Sequence, residues 1–70
     1  MMAVSTRFFE DGIEIDESVM RPRYQKAAED AGYDFEFTER LWEDAMAGDA
    51  YARELVEELC GVKIIIALPD

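Results

Sequence analysis

The chain has no histidine, one cysteine, two prolines and four glycines in seventy residues. Without histidine the commonest general base is missing, and with it the hydrolytic triads and the usual zinc sites. A single thiol, Cys60, forms neither an internal disulfide nor a thiolate cluster, and it reads as a small apolar side chain near a helix end. The glycines stand singly at turn or cap positions, so no glycine-rich phosphate loop exists. Bases are scarce, seven against seventeen acids, for a net charge of −10. No apolar run approaches the roughly 20 residues that cross a bilayer, and the start lacks the basic and apolar segments of a secretory signal. The expectation is one soluble, cytoplasmic domain over residues 1–70. Half of its residues are apolar, enough for a small core without metal or disulfide, by a thin margin at this size.

What is present organises around residues 38–60. Thr38 suits an N-cap, with Glu39 at the positive end of the helix dipole. Leu41, Trp42, Ala45 and Met46 then follow a helical stripe. Gly48 fits a C-terminal cap and Asp49 the N-cap of a second helix. That helix sets Tyr51, Ala52, Leu55, Val56 and Leu59 on one side and Arg53, Glu54, Glu57 and Glu58 on the other, and ends at Gly61. The rival is one long helix with Gly48 inside it, at a cost of about 1 kcal/mol relative to alanine.

Around this pair the chain reads as sheet plus one more helix. Residues 3–9 form a first strand, and the Asp11-Gly12 pair suits a type I′ hairpin turn, where both central residues take positive φ. Ile13-Glu14-Ile15-Asp16 alternates apolar and acidic, the pattern of a half-buried strand. Ser18 can cap a helix that holds Pro22 in its first turn, with Tyr24, Ala27, Ala28 and Ala31 on one face and Gly32 as its C-terminal cap. Tyr33 to Phe37 alternates aromatic and acid and predicts a short strand with its aromatic side buried, or an extended connection. Residues 62–68 are nearly all apolar and β-branched, which suits a strand covered on both faces or by a partner; Pro69 stops it. The fold class expected is α+β: a small, mainly antiparallel sheet (N-terminal hairpin, short middle strand, C-terminal strand) covered by about three helices.

Chemistry is sparse. Paired carboxylates abound, but a glycosidase-like pair needs a cleft. The best register for a calcium loop starts at Asp34 and puts Glu39 where glycine belongs and Ala45 where the final glutamate belongs. Neither catalytic residues, cofactor nor metal is expected. Arg21, Arg23 and Lys26 are the one basic cluster, and the plain reading is charge balance against the acids of the neighbouring hairpin.

The acids come in runs. Glu39 with Glu43 and Glu54 with Glu58 lie four apart, about 5–6 Å on a helix face, a mildly destabilising arrangement. Arg40 can reach Asp44 and Arg53 can reach Glu57; the remaining excess has no partner. Such a charge repels nucleic acid and anionic membranes and steers in a basic protein surface. A row of carboxylates at this spacing is similar to the phosphates along a nucleic-acid strand. In size, acidity and lack of catalytic motifs the chain is similar to small phage-encoded proteins that block CRISPR or restriction complexes, a likeness of size and charge that no motif carries. The functional expectation is therefore an acidic inhibitor, a DNA mimic occupying the nucleic-acid groove of a larger protein. Glu39, Glu43, Asp44, Glu54, Glu57 and Glu58 are its candidate contacts, with Glu14 and Asp16 as a second set. The alternative is a structural, assembly or adaptor module, open to homodimerisation, that binds through the 64–68 strand or through Trp42, Tyr51, Phe35 and Phe37. A third reading is that the acids only keep a small protein soluble.

Overall fold

The computed structural model of the protein describes residues 5–67. It is an α+β fold: β1 (Ser5–Glu10), β2 (Ile13–Ile15), α1 (Glu17–Asp30), α2 (Phe35–Met46), α3 (Ala50–Cys60) and β3 (Lys63–Ala67). The antiparallel sheet has the order β2-β1-β3, with β1 central.

The hairpin turns where the sequence predicts. Asp11 and Gly12 take φ of 53° and 82°, the two positive values of a type I′ turn. Glu10 faces Ile13 across that turn and Phe8 faces Ile15, while on the other side Phe8 faces Ile64 and Thr6 faces Ile66. Residues that face each other share a side of the sheet. Phe8, Ile15, Ile64 and Ile66 thus point at the helices, and Arg7, Phe9, Glu14, Lys63 and Ile65 point away. Ile64 is buried and Ile65 is 46% exposed, so the apolar C-terminal strand is covered on one face rather than both. Ala3, Val4, Leu68 and Pro69, which the sequence also assigns to strands or their ends, lie outside the described residues.

The core joins Phe8, Met20, Tyr24, Ala28, Leu41, Trp42, Ala45, Ala52, Val56, Cys60, Val62 and Ile64. Trp42 is its hub. Phe8 stacks on it at 5.7 Å between ring centroids, Tyr24 tilts against it at 5.1 Å, and the Arg21 guanidinium lies 5.0 Å from its ring centre. The Tyr24 hydroxyl, at the bottom of the core, donates to the Thr38 carbonyl oxygen at 2.7 Å.

Three expectations fail locally. The middle strand does not form: residues 35–37 are the first turn of α2. Gly32 closes α1 at φ 85°, with the Tyr33 amide bonded to the Ala28 carbonyl, and Asp34 then caps α2 by accepting from the Phe37 amide at 2.7 Å. An aspartate so placed satisfies an orphan helix donor, which leaves Thr38 inside the helix, where its hydroxyl donates to the Asp34 carbonyl. Phe35 and Phe37 are 74% and 43% exposed, and only Tyr33 of the three aromatics packs partly buried against the core. The third correction concerns α1, which begins earlier than Ser18 predicts. Asp16 is its N-cap and accepts from the Ser18 amide and hydroxyl. Pro22 falls in the second turn, where it has no amide to donate to the carbonyl of Ser18, an exposed residue. The break at Gly48 is as expected: its φ is 104°, and the Asp49 carboxylate accepts from the Ala52 amide to start α3.

Candidate acidic interface

Exposure and helical spacing sort the acids. On α2 the inward positions are Thr38, Leu41, Trp42 and Ala45. The opposite crest carries Glu36, Arg40 and Glu43, flanked by Asp44 and the half-exposed Phe37. On α3 the inward positions are Ala52, Val56 and Cys60, and the outward ridge carries Tyr51, Glu54 and Glu58. A shallow groove on this ridge is lined by Tyr51, Glu54, Leu55, Glu57 and Glu58. A second one, on α2, is lined by Phe35, Phe37, Glu36, Glu39, Arg40 and Glu43, with Asp34 at its edge. Neither groove contains acids from both helices, so the structure brings Glu39 together with Glu43, and Glu54 with Glu57 and Glu58, as two neighbourhoods.

Four of the eight candidate acids serve the fold itself. Glu39 accepts from Arg21 Nη2 at 2.5 Å, joining α2 to α1. Glu14 pairs with Arg7 at 3.2 Å across the hairpin, on the sheet face turned away from the helices. Asp16 caps α1, and the bonds from Ser18 hold its carboxyl below the usual aspartate value of 3.8. The Glu57 carboxylate accepts from the Ile64 amide at 2.7 Å, and its carbonyl accepts from the Gly61 and Val62 amides. This one residue shapes the turn from α3 into β3. Glu43, Asp44, Glu54 and Glu58 are exposed, and among the described residues no ion pair or hydrogen bond holds their carboxylates. The expected pairings of Arg40 with Asp44 and Arg53 with Glu57 are likewise not formed among the described residues.

The basic cluster divides in three directions. Arg23 is the central tie. It donates to both oxygens of Glu10, at 3.0 and 2.7 Å, and to the Cys60 carbonyl at 2.8 Å, so α1, the end of β1 and the end of α3 meet on one guanidinium. The hydrogen bonds from Arg23 hold Glu10 below its ordinary 4.5, and Glu10 in turn raises Arg23. Arg21 turns to α2 rather than to the hairpin, and Lys26 is exposed. Burial pushes the Tyr24 phenol up to about 12 and raises the Cys60 thiol above its ordinary 9.0; such a thiol is a poor nucleophile. Among the described residues no group of three or more Cys, Asp or Glu side chains is placed to hold a metal ion, and no helix is long and apolar enough to cross a membrane.

Sequence reasoning singled out neither Arg23 as a junction nor Glu57 as a backbone partner. Their contacts span 13, 37 and 7 residues, and no local pattern encodes them. Set against family models, curated proteins and solved structures, the chain matches none.

Proposed function

We infer that the protein is a binding module, without catalytic activity, that docks on a basic surface of a larger, nucleic-acid-binding protein and competes there with nucleic acid, in the manner of a small inhibitor of an anti-CRISPR or anti-restriction kind. The observation that carries the reading is the division of the acids. Arg21, Arg23 and Arg7 neutralise Glu39, Glu10 and Glu14, yet Glu43, Asp44, Glu54 and Glu58 remain on outer ridges, exposed and in no ion pair among the described residues. Glu54 and Glu58 lie one turn apart, where like charges destabilise the helix by about 0.2–0.5 kcal/mol. Folding does not need that arrangement, and a basic partner would relieve it.

The test is capture of partners on an immobilised copy of the protein, at low salt and again at about 0.5 M salt, where screening is short-ranged. Capture of a nucleic-acid-binding protein at low salt, its release at high salt and its displacement by added DNA or RNA support the reading. So does loss of capture by a variant with Lys at 43, 44, 54 and 58. A partner that is retained at high salt and ignores nucleic acid overturns it.

A second reading, an adaptor or assembly module, is favoured by a different observation. Phe35 and Tyr51 are 74% and 71% exposed at the ends of the same two ridges, and solvated aromatics of this size are the usual anchors of protein interfaces. Under that reading binding tolerates salt, and Phe35→Ala or Tyr51→Ala abolishes it.

A further inference from the structure

The outer edge of β3 is built for strand pairing, and one side chain stands in its way. The sheet order makes β3 an edge strand among the described residues. Its register tells which of its backbone groups face outward. The two-residue turn at Asp11-Gly12 makes Glu10 and Ile13 a hydrogen-bonded pair, so in β1 the groups of Glu10 and Phe8 turn to β2 and those of Phe9 and Arg7 turn to β3. The partners of Phe9 and Arg7 are Lys63 and Ile65, which leaves the N–H and C=O of Ile64 and Ile66 pointing out of the sheet. The bond from the Ile64 amide to Glu57 agrees with this independently, because only an outward amide can reach a side chain at the edge.

We propose that this edge is a pairing surface for a second copy of the chain, held closed by the Glu57 carboxylate. Two copies of β3 meeting antiparallel about a two-fold axis at Ile65 would set Ile64 opposite Ile66 of the other copy. The outward groups of both residues then meet as hydrogen-bonded pairs. Each copy donates once from Ile64 and once from Ile66, four bonds in total, and Glu57 already holds the Ile64 donor in both copies, which removes two of the four. The side chains fit the same register. Ile65, 46% exposed, would lie against its own copy on the outer face, and Ile64 would meet Ile66 on the helix-facing side. Charge does not oppose a second copy here: from Gly61 to Ala67 the chain has one lysine and no acid, so two chains of net charge −10 bring no run of acids together along this strand. Native edge strands are commonly blunted by charged side chains for this reason. Glu57 does so by taking a backbone donor directly.

The experiment compares the solution mass of the wild-type protein, Glu57→Ala and Glu57→Gln over a range of concentration, with circular dichroism to confirm folding. The wild type is expected to be monomeric and Glu57→Ala dimeric. Glu57→Gln keeps an acceptor oxygen for the Ile64 amide and stays monomeric. The register is read by disulfide trapping: in the Glu57→Ala background Ile65→Cys cross-links readily, because residues facing each other at a non-hydrogen-bonded position lie about 4.5 Å apart, whereas Lys63→Cys does not. A folded Glu57→Ala that stays monomeric overturns the proposal, as does Glu57→Gln associating like Glu57→Ala, which would make charge rather than the hydrogen bond decisive. Cross-linking at 63 in preference to 65 overturns the register. Amide exchange on the wild type needs no substitution at all. Ile64 should exchange slowly and Ile66 quickly, and equal protection of the two in the monomer would mean that the edge is not open.

Discussion

Glu10 and Glu39, which face the arginines of α1, and the acids on the outer ridges of α2 and α3 are alike in chemistry, and they do opposite things. Around α1 every arginine finds a carboxylate: Arg23 binds Glu10, and Arg21 binds Glu39 while lying over Trp42. On the ridges Glu43, Asp44, Glu54 and Glu58 face water. Glu57 and Glu58 show the contrast within two consecutive residues, one bonded to the backbone of β3 and the other solvated. Net charge says how many acids a protein has to place. Only packing says which of them the fold consumes, and the remainder is what a partner meets.

The comparison breaks most visibly on the α1 side. Trp42→Ala removes the ring on which Phe8, Tyr24 and Arg21 converge, and the expected loss is about 3–5 kcal/mol in urea unfolding. At this chain length such a loss approaches the whole stability. Truncation of Tyr51 on the α3 ridge should change the same midpoint little.

A smaller loss, about 1 kcal/mol, is expected for Tyr24→Phe, which deletes the bond to the Thr38 carbonyl. This variant also reports on alkaline pH. The folded phenol keeps its proton up to about 12, whereas in the unfolded chain it ionises from 10.0. Stability therefore falls as pH rises through that interval, and the fall should be weaker in Tyr24→Phe, leaving the part that starts near 9 from Cys60.

On the acid side the sign reverses. Glu10 and Asp16 have lowered values in the folded protein, so their contribution is present above 4.5 and 3.8 and is lost as pH falls below them. Unfolding midpoints measured from pH 6 to pH 2 should drop through this window. Arg23→Ala should flatten the part due to Glu10, and Ser18→Ala the part due to Asp16.

The smallest effect belongs to the ridges and has the opposite direction. Glu58→Lys pairs with Glu54 one turn before it and sits in the last turn of α3, so it should stabilise by about 0.5 kcal/mol. A measured loss instead would show that Glu58 has an internal partner, and the contrast between the two regions would disappear.

How much of this was legible in the sequence depends on how far each signal reaches along the chain. The Asp11-Gly12 turn, the Gly48-Asp49 break and the alternation at 13–15 are local, and each gives the element observed. The α+β class follows from them. Tyr33 to Phe37 misleads because alternation over five residues also fits a cap followed by one helical turn, and the deciding bond, from the Phe37 amide to Asp34, competes with a strand pattern that has no neighbour to pair with. The candidate acids were half legible. Helical spacing identifies the outward ridges, but the capture of Glu39 by Arg21 and of Ile64 by Glu57 depends on how separate elements pack.

One pairing in the sheet has a consequence for how the chain could be rewired. Ser5 stands directly opposite Ala67, so the two ends of the described chain are neighbours, whereas the link between α2 and α3 is an exposed turn at Gly48. Joining the ends with a short linker and opening the backbone at that turn would give a circular permutant that keeps every strand pairing, the Arg23 junction and the Trp42 cluster. In it the two ridges would be carried at opposite ends of the polypeptide, α3 first and α2 last.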